Sequence, residues 1–350
     1  MARGDMRRVA LAVVVACLVA ACLAQSVENN GPVSDDAKKA YEKGLQYLNH
    51  RAASSALDEF KKADKKDGGH CRACEMQIVK CAIQEHDWKA AETAAREIEA
   101  AAQKPQEIAL AHYQLGSVFL NEGLDKRKDE FFTRAHDEMT QALTAVANFP
   151  AAIFGDAQAL ARLKQDDAAK AQFQQFLSVV SSDNPLRERA ARYASQPELV
   201  RARMAPPFRV TTLDGQDISL DGLQGKVVLI DFWATWCAAC VSAMPHLRDI
   251  AKKFKDEPLV ILSISLDKDP ALWKTYVTKN EMVWPQYCDG GWTGPITKLF
   301  DVHAIPQTFT IDAEGVLQDQ HIGDASIEKK LKKLVEQARN AHPESDSSLP

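Results

Sequence analysis

Residues Val227 to Leu247 read VVLIDFWATWCAACVSAMPHL. Val227, Val228, Leu229 and Ile230 follow one another without polar alternation, the pattern of a strand buried on both faces. The run ends in Trp233-Ala234-Thr235-Trp236 and then two cysteines, Cys237 and Cys240, separated by two alanines. Val241 to Phe254 has helical composition, so the cysteines are predicted at the point where a buried strand becomes a helix. A thiol at a helix N-terminus faces unpaired backbone N–H groups and the positive end of the helix dipole, and both favour the thiolate. Cys240 falls on the same face of that helix, close enough to close a disulfide with Cys237. Thiol–disulfide exchange needs this arrangement: one thiolate open to attack, and a second thiol to resolve the mixed intermediate.

Further residues extend the pattern. Asp231 stands six positions before Cys237, Pro245 lies within the following helix, and Ile305-Pro306 precedes another strand-like run. Ala205-Pro206-Pro207-Phe208 to Leu220 carries an Asp214-Gly215 turn, a hairpin signal. Together these residues resemble the thioredoxin superfamily, most closely its extracytoplasmic TlpA-like (redoxin) branch, over residues 205 to 341. The resemblance implies an α/β thioredoxin-like fold with Cys237 as nucleophile and Cys240 as resolving thiol, the two forming a redox-active disulfide. Asp231 would be the buried base that deprotonates Cys240. Trp236, Ile305 and a cis Pro306 would face the substrate chain. No cofactor and no metal is implied, because the disulfide is itself the redox group. The sequence departs from the family where proline is common before the second cysteine (Ala239) and where threonine often follows the cis-proline (Gln307). The resemblance implies that both positions touch the disulfide and that the pair between the cysteines tunes its reduction potential. A scaffold keeping the fold without catalysis is one rival reading. A thiol peroxidase is another, disfavoured because Phe232 to Trp236 lacks the threonine and proline that should precede a peroxidatic cysteine.

The chain's 350 residues predict two domains. Its 43 basic and 48 acidic residues give a formal charge of −5, which offers nothing to attract nucleic acid. Arg3, Arg7 and Arg8 precede an apolar run from Val9 to Ala21, too short to span a bilayer comfortably, so residues 1–21 read as a signal peptide. Val19-Ala20-Ala21-Cys22 resembles a bacterial lipoprotein cleavage box, which would leave Cys22 as a lipidated first residue. Ordinary signal-peptidase cleavage is the alternative. Either route predicts an extracytoplasmic, periplasmic location, where disulfides persist. Residues 22–34 read as a flexible tether.

From Asp35 the period turns helical. Residues 35–183 resemble four tetratricopeptide repeats, making an all-α helical solenoid ahead of the α/β domain. Gly44 and Tyr47 fall on the first predicted helix, Ala56, Phe60 and Ala63 on the second, with an insertion in the third repeat around Asp125 to Phe132. Such repeats predict either a surface for a protein partner or a spacer or dimerisation module. Cys71, Cys74 and Cys81, beside His70, invite three readings: structural thiols or one disulfide, a metal site, or a second redox centre. The motif lacks the strand, tryptophan and proline loop of the first, and zinc needs four ligands. Residues 184–204 read as a capping helix and linker, and 342–350 as a disordered tail. In the second domain the expected order is a leading hairpin, strand Leu259 to Ser265, helix Pro270 to Asn280 capped by Asp269, and a loop from Trp284 to Gly291. A helical turn Pro295 to Phe300, strands Gln307 to Ile311 and Val316 to Ile322, and a closing helix from Ser326 complete it. Cys288 reads as a packing thiol. The expected function is disulfide exchange with protein thiols and disulfides, beside a membrane or periplasmic redox partner.

Overall fold

The computed structural model describes residues 31–322 and 327–341. The proposed signal segment, Cys22, the Ser326 cap and the tail lie outside them. The chain divides into two compact units, Met1–Arg201 and Ala202–Pro350. No helix among the described residues is long and apolar enough to cross a membrane.

The first unit consists of helices α1 (Asp35–Asn49), α2 (Ala53–Lys66), α3 (Arg72–Gln84), α4 (Trp88–Ala101), α5 (Pro105–Lys126), α6 (Asp129–Ala145), α7 (Pro150–Arg162), α8 (Asp166–Val179) and α9 (Arg187–Ser195). Each packs chiefly on its sequence neighbours, as stacked helical hairpins do. Polar caps start several of them. Ser34 Oγ accepts the Ala37 N–H at 3.2 Å and Asp87 Oδ1 accepts the Ala90 N–H at 3.1 Å, satisfying donors the helix leaves unpaired. The helices cross where glycine meets a large ring. A Cβ on Gly44 would sit 2.7 Å from the buried Phe60 ring, so any side chain there would force the first hairpin apart.

Three sequence expectations are sharpened here, with the capping helix present as α9 and the cysteine cluster taking its one-disulfide reading. The insertion near Asp125 to Phe132 makes no separate loop: it lengthens α5 and α6, with a two-residue turn between them. The segment expected to be a linker is packed through residue 201. Tyr193 stacks on Phe173 at 5.2 Å, and the Arg201 guanidinium holds both Asp166 carboxylate oxygens, at 2.5 and 3.0 Å. The cysteine cluster resolves into one disulfide, Cys71–Cys74, with Cys81 free and buried. Cys74 and Cys81 share a helical face, but Cys71 caps the helix and turns its sulfur back onto Cys74.

The second unit opens with a two-stranded antiparallel hairpin, β1 (Arg209–Thr211) and β2 (Asp217–Ser219). There follow β3 (Val227–Trp233), α10 (Ala238–Lys253), β4 (Leu259–Ser265), α11 (Pro270–Lys279), β5 (Gln286–Cys288), α12 (Pro295–Leu299), β6 (Gln307–Ile311), β7 (Leu317–Ile322) and α13 (Glu328–Ala341). The main sheet has the order β5-β4-β3-β6-β7. Strands β3, β4 and β5 run parallel, while β6 is antiparallel to β3 and to β7. Every residue of β3 is buried, as an unbroken apolar run in a central strand requires. The short β5 replaces part of the expected loop, because Gln286, Tyr287 and Cys288 pair with Ser263, Ile264 and Ser265. Its polar composition hides it from any hydrophobic pattern. α13 turns Leu331, Leu334, Val335 and Ala338 inward.

This topology fixes where a site can form. The carboxyl ends of β3, β4 and β5 lie together, since Trp233 pairs with Ser265 and Ser265 with Cys288. The start of β6 joins them, with Gln307 opposite Phe232. In open α/β sheets ligands bind outside the carboxyl ends of the strands.

Candidate active site

The buried β3 delivers the chain through Ala234-Thr235-Trp236 to Cys237, which caps α10. Its sulfur accepts the Cys240 N–H at 3.1 Å, and Cys237 and Cys240 form a disulfide with Cα atoms 5.2 Å apart. A first-turn N–H aimed at a sulfur stabilises negative charge there once the bond opens. Cys237 is 8% exposed and Cys240 1%, so the first sulfur has the better access from solvent. Trp236 beside it is 57% exposed.

The loop holding Trp236 is fastened from β4's side. Asp267, buried, accepts the Thr235 N–H at 3.0 Å and the Thr235 hydroxyl at 2.6 Å, while the Ser265 hydroxyl donates to the same carboxylate at 2.6 Å. Sequence reasoning missed Asp267. Its signal is weak, an aspartate two residues past a strand.

Asp231 is buried on β3, between Ser263 of β4 and Thr308 of β6. Ser263 Oγ donates to its Oδ2 at 3.2 Å and in turn accepts the Trp284 indole N–H at 2.9 Å, which fixes the hydroxyl's direction. Burial pushes the Asp231 carboxyl up to about 7, with the Ser263 hydrogen bond opposing. A carboxyl in that range can exchange protons near neutral pH.

Ile305-Pro306 is a cis peptide bond directly before β6, at the sheet edge where β3 ends. Cys288 donates to the Asp267 carbonyl at 3.3 Å, and burial raises its thiol, so it is a poor nucleophile. His303 sits exposed against Asp301 at 2.8 Å, and His246 is half-buried in α10.

Elsewhere, Glu99, His112 and Glu138 place ligand-type atoms within 4.8 Å of one another among the described residues. His112 Nδ1 lies 2.7 Å from Glu138 and Arg96 lies 3.3 Å from Glu99, which makes an ion-pair network of the group. Glu75, next to Cys74, is also pushed up to about 7, first by burial and then by Asp64 and Glu97.

Residues 202–320 match the model of the AhpC/TSA family. Thiol-disulfide oxidoreductase ResA of Bacillus cereus is 30% identical over 146 residues, 41% of this chain and 83% of that protein. The chain belongs to this thiol-disulfide oxidoreductase family of the thioredoxin superfamily. Thioredoxin-like protein YneN of Bacillus subtilis is 30% identical over 135 residues, 38% of this chain and 77% of YneN. A solved thiol-disulfide oxidoreductase from Bacteroides fragilis is 27% identical, with TM-score 0.35, over 37% of this chain and 98% of its own. The relatives ResA and YneN, each about 30% identical over more than two thirds of their length, make the chain an oxidoreductase of the thiol–disulfide type.

Proposed function

We propose that the exchange runs through Cys237 and Cys240, with Asp231 as the proton carrier and the loop at Ile305-Pro306 lining the substrate chain. The observation that carries this reading is the joint placement of an N-cap cysteine, more exposed than its partner, and a buried carboxyl at about 7 toward the carboxyl end of the central strand. With the pair reduced, the Cys237 thiolate attacks a substrate disulfide. A bond forms between Cys237 and one substrate sulfur, and the other substrate sulfur leaves as a thiolate and takes a proton. Cys240 then gives its proton to Asp231 and attacks the Cys237 sulfur. The Cys237–Cys240 disulfide forms, and the second substrate thiolate leaves and takes the proton held on Asp231, while the first substrate thiolate takes its proton from solvent, to which Cys237 had released its own. Two electrons and two protons pass to the substrate. Run backwards, the same steps oxidise a dithiol.

Extracytoplasmic location, lipid attachment at Cys22 and a protein partner on the helical repeats belong to the same proposal. Support comes from the apolar run and the Val19-to-Cys22 box, and from the stacked hairpins of the first unit. Catalysed reduction of insulin by dithiothreitol tests the catalytic core. Cys237→Ser should lose the catalysis, and Cys240→Ser should accumulate mixed disulfides with protein substrates. If Cys237→Ser traps substrates and Cys240→Ser does not, the two roles are reversed. Globomycin treatment tests the anchor: a mature N-terminus at any residue other than a lipid-modified Cys22 would refute it.

A further inference from the structure

The loop that follows β5 ends in a tryptophan for which the exchange chemistry above has no use. Trp292 is 38% exposed, and its ring lies 6.3 Å from that of Trp236 at 51°. Exposing two indoles side by side leaves a large apolar area in water, at roughly 25 cal/mol for each Å². Folding alone gives no reason for it.

The backbone beneath Trp292 is built to hold it. Asp289, buried at the end of β5, accepts the Ile296 N–H at 3.2 Å, the Thr297 N–H at 2.7 Å and the Thr297 hydroxyl at 2.6 Å. Its own N–H donates to the Ser265 carbonyl at 2.8 Å, tying the loop to β4. Gly294 lies against that carboxylate so closely that a Cβ would sit 2.2 Å from Oδ2. The opposite ring stands on the loop that Asp267 fastens. Two carboxylates buried at the ends of neighbouring parallel strands therefore set two indoles facing each other, one of them adjacent in sequence to the accessible sulfur.

We propose that Trp292 is a specificity-determining residue of the exchange site: with Trp236 it forms an aromatic wall that takes an apolar side chain flanking the target cysteine of a polypeptide substrate. This rests on the reading of Cys237 as the attacking sulfur. An aromatic pair with rings in this range presents both faces and edges to a ligand, so it accepts aliphatic and aromatic groups alike. Tryptophan is also the residue that most often dominates polypeptide recognition when it is rigidly presented. A small thiol has no side chain to place against the wall and gains nothing from it.

The test compares wild type, Trp292→Ala and Trp292→Phe with two reactants. One is insulin, followed as steady-state reduction with dithiothreitol held saturating. The other is dithiothreitol alone, followed as single-turnover reduction of the Cys237–Cys240 disulfide. Trp292→Ala should raise KM for insulin roughly tenfold, with kcat and the dithiothreitol rate within about twofold of wild type. Trp292→Phe should restore most of the affinity. An unchanged KM for insulin in Trp292→Ala would overturn the proposal. So would an equal loss with dithiothreitol, which would mean that the ring acts on the disulfide itself. Cys237→Ser run in parallel separates the two layers. If that variant keeps wild-type exchange, the attacking sulfur is misassigned and this proposal goes with it. If it is dead and Trp292→Ala is normal, only the aromatic wall fails.

Discussion

Two Cys-x-x-Cys disulfides occupy this chain, and locally they are nearly the same object. Cys71 and Cys237 each cap a helix with extended-side backbone angles, φ −84°, ψ 88° and φ −90°, ψ 100°. Each first sulfur accepts the N–H of the second cysteine, at 3.2 and 3.1 Å, and each pair has its Cα atoms 5.2 Å apart. Each unit also contains a carboxyl pushed up to about 7, Glu75 in one and Asp231 in the other. The difference lies in what surrounds them. Cys71 and Cys74 are 1% and 0% exposed and pack with Ala40, Ala63 and Tyr41 among helices. Cys237 lies past the carboxyl end of the central strand, 8% exposed, next in sequence to an exposed tryptophan, and the cis-proline precedes the strand paired with β3. The same helix N-terminal geometry therefore occurs in two settings, and the pairs differ in how far packing covers their first cysteine, 1% exposed for Cys71 and 8% for Cys237.

Four experiments would break or sharpen that contrast. The largest effect belongs to catalysis. Cys237→Ser should bring insulin reduction down to the uncatalysed background, whereas the paired change Cys71→Ser with Cys74→Ser should leave the rate within about twofold. A folded double variant without activity would make the buried pair part of the redox path.

The two carboxyls come next. A carboxyl raised from 3.8 to about 7 holds its proton longer in the folded state, so stability falls as pH climbs from about 4 to about 7 and levels off above. For Asp231 that decline is at most about 4 kcal/mol. Asp231→Asn should flatten it in urea melts across that window and also slow release of the mixed disulfide near neutral pH. Glu75→Gln should flatten a smaller decline of the same sign and leave exchange kinetics untouched. If Glu75→Gln altered exchange, the two carboxyls would share a role.

Reduction kinetics should then separate the disulfides directly. Under native conditions dithiothreitol should open Cys237–Cys240 on the order of a hundredfold faster than Cys71–Cys74, because the buried pair reacts only through local opening. Alkylation and peptide mass spectrometry read both rates in one sample, and equal rates would remove the distinction. The smallest effect is on stability. Closing a loop of about four residues restrains the unfolded chain little, so losing Cys71–Cys74 should cost about 2 kcal/mol. A much larger loss in thermal unfolding would mean that the repeat cannot pack without its staple.

Much of this was legible because it rests on near neighbours in sequence. The run Val227 to Ile230 predicts a doubly buried strand, and β3 is buried throughout. Asp269 before Pro270 predicts a cap, and its carboxylate accepts the Ala271 and Leu272 N–H groups at 2.9 and 3.2 Å. Small and large residues spaced along the first hairpin predict the meeting of Gly44 and Phe60. Caps and periodicity depend on contacts within about one or two turns, and the crossing of two consecutive helices joined by a short turn follows from their spacing, so residue order states them almost directly.

Tertiary structure alone decided the remainder. Strand β5 exists only because β4 offers it an edge, and nothing in Gln286, Tyr287 and Cys288 announces a strand. The clamp of Asp267 on Thr235 and the meeting of Trp236 with Trp292 across 56 residues depend on elements brought together by the sheet, and the choice of Cys74 over Cys81 as partner of Cys71 appears only in the folded helices. The acidity of Asp231 belongs here too, since the residue type supplies the carboxyl and burial between two strands moves it to about 7. The local geometry shared by both cysteine pairs belongs to neighbouring residues, because a helix N-terminus is made by its own first turn. Which pair meets solvent was decided by packing, because burial is a property of everything that surrounds a residue.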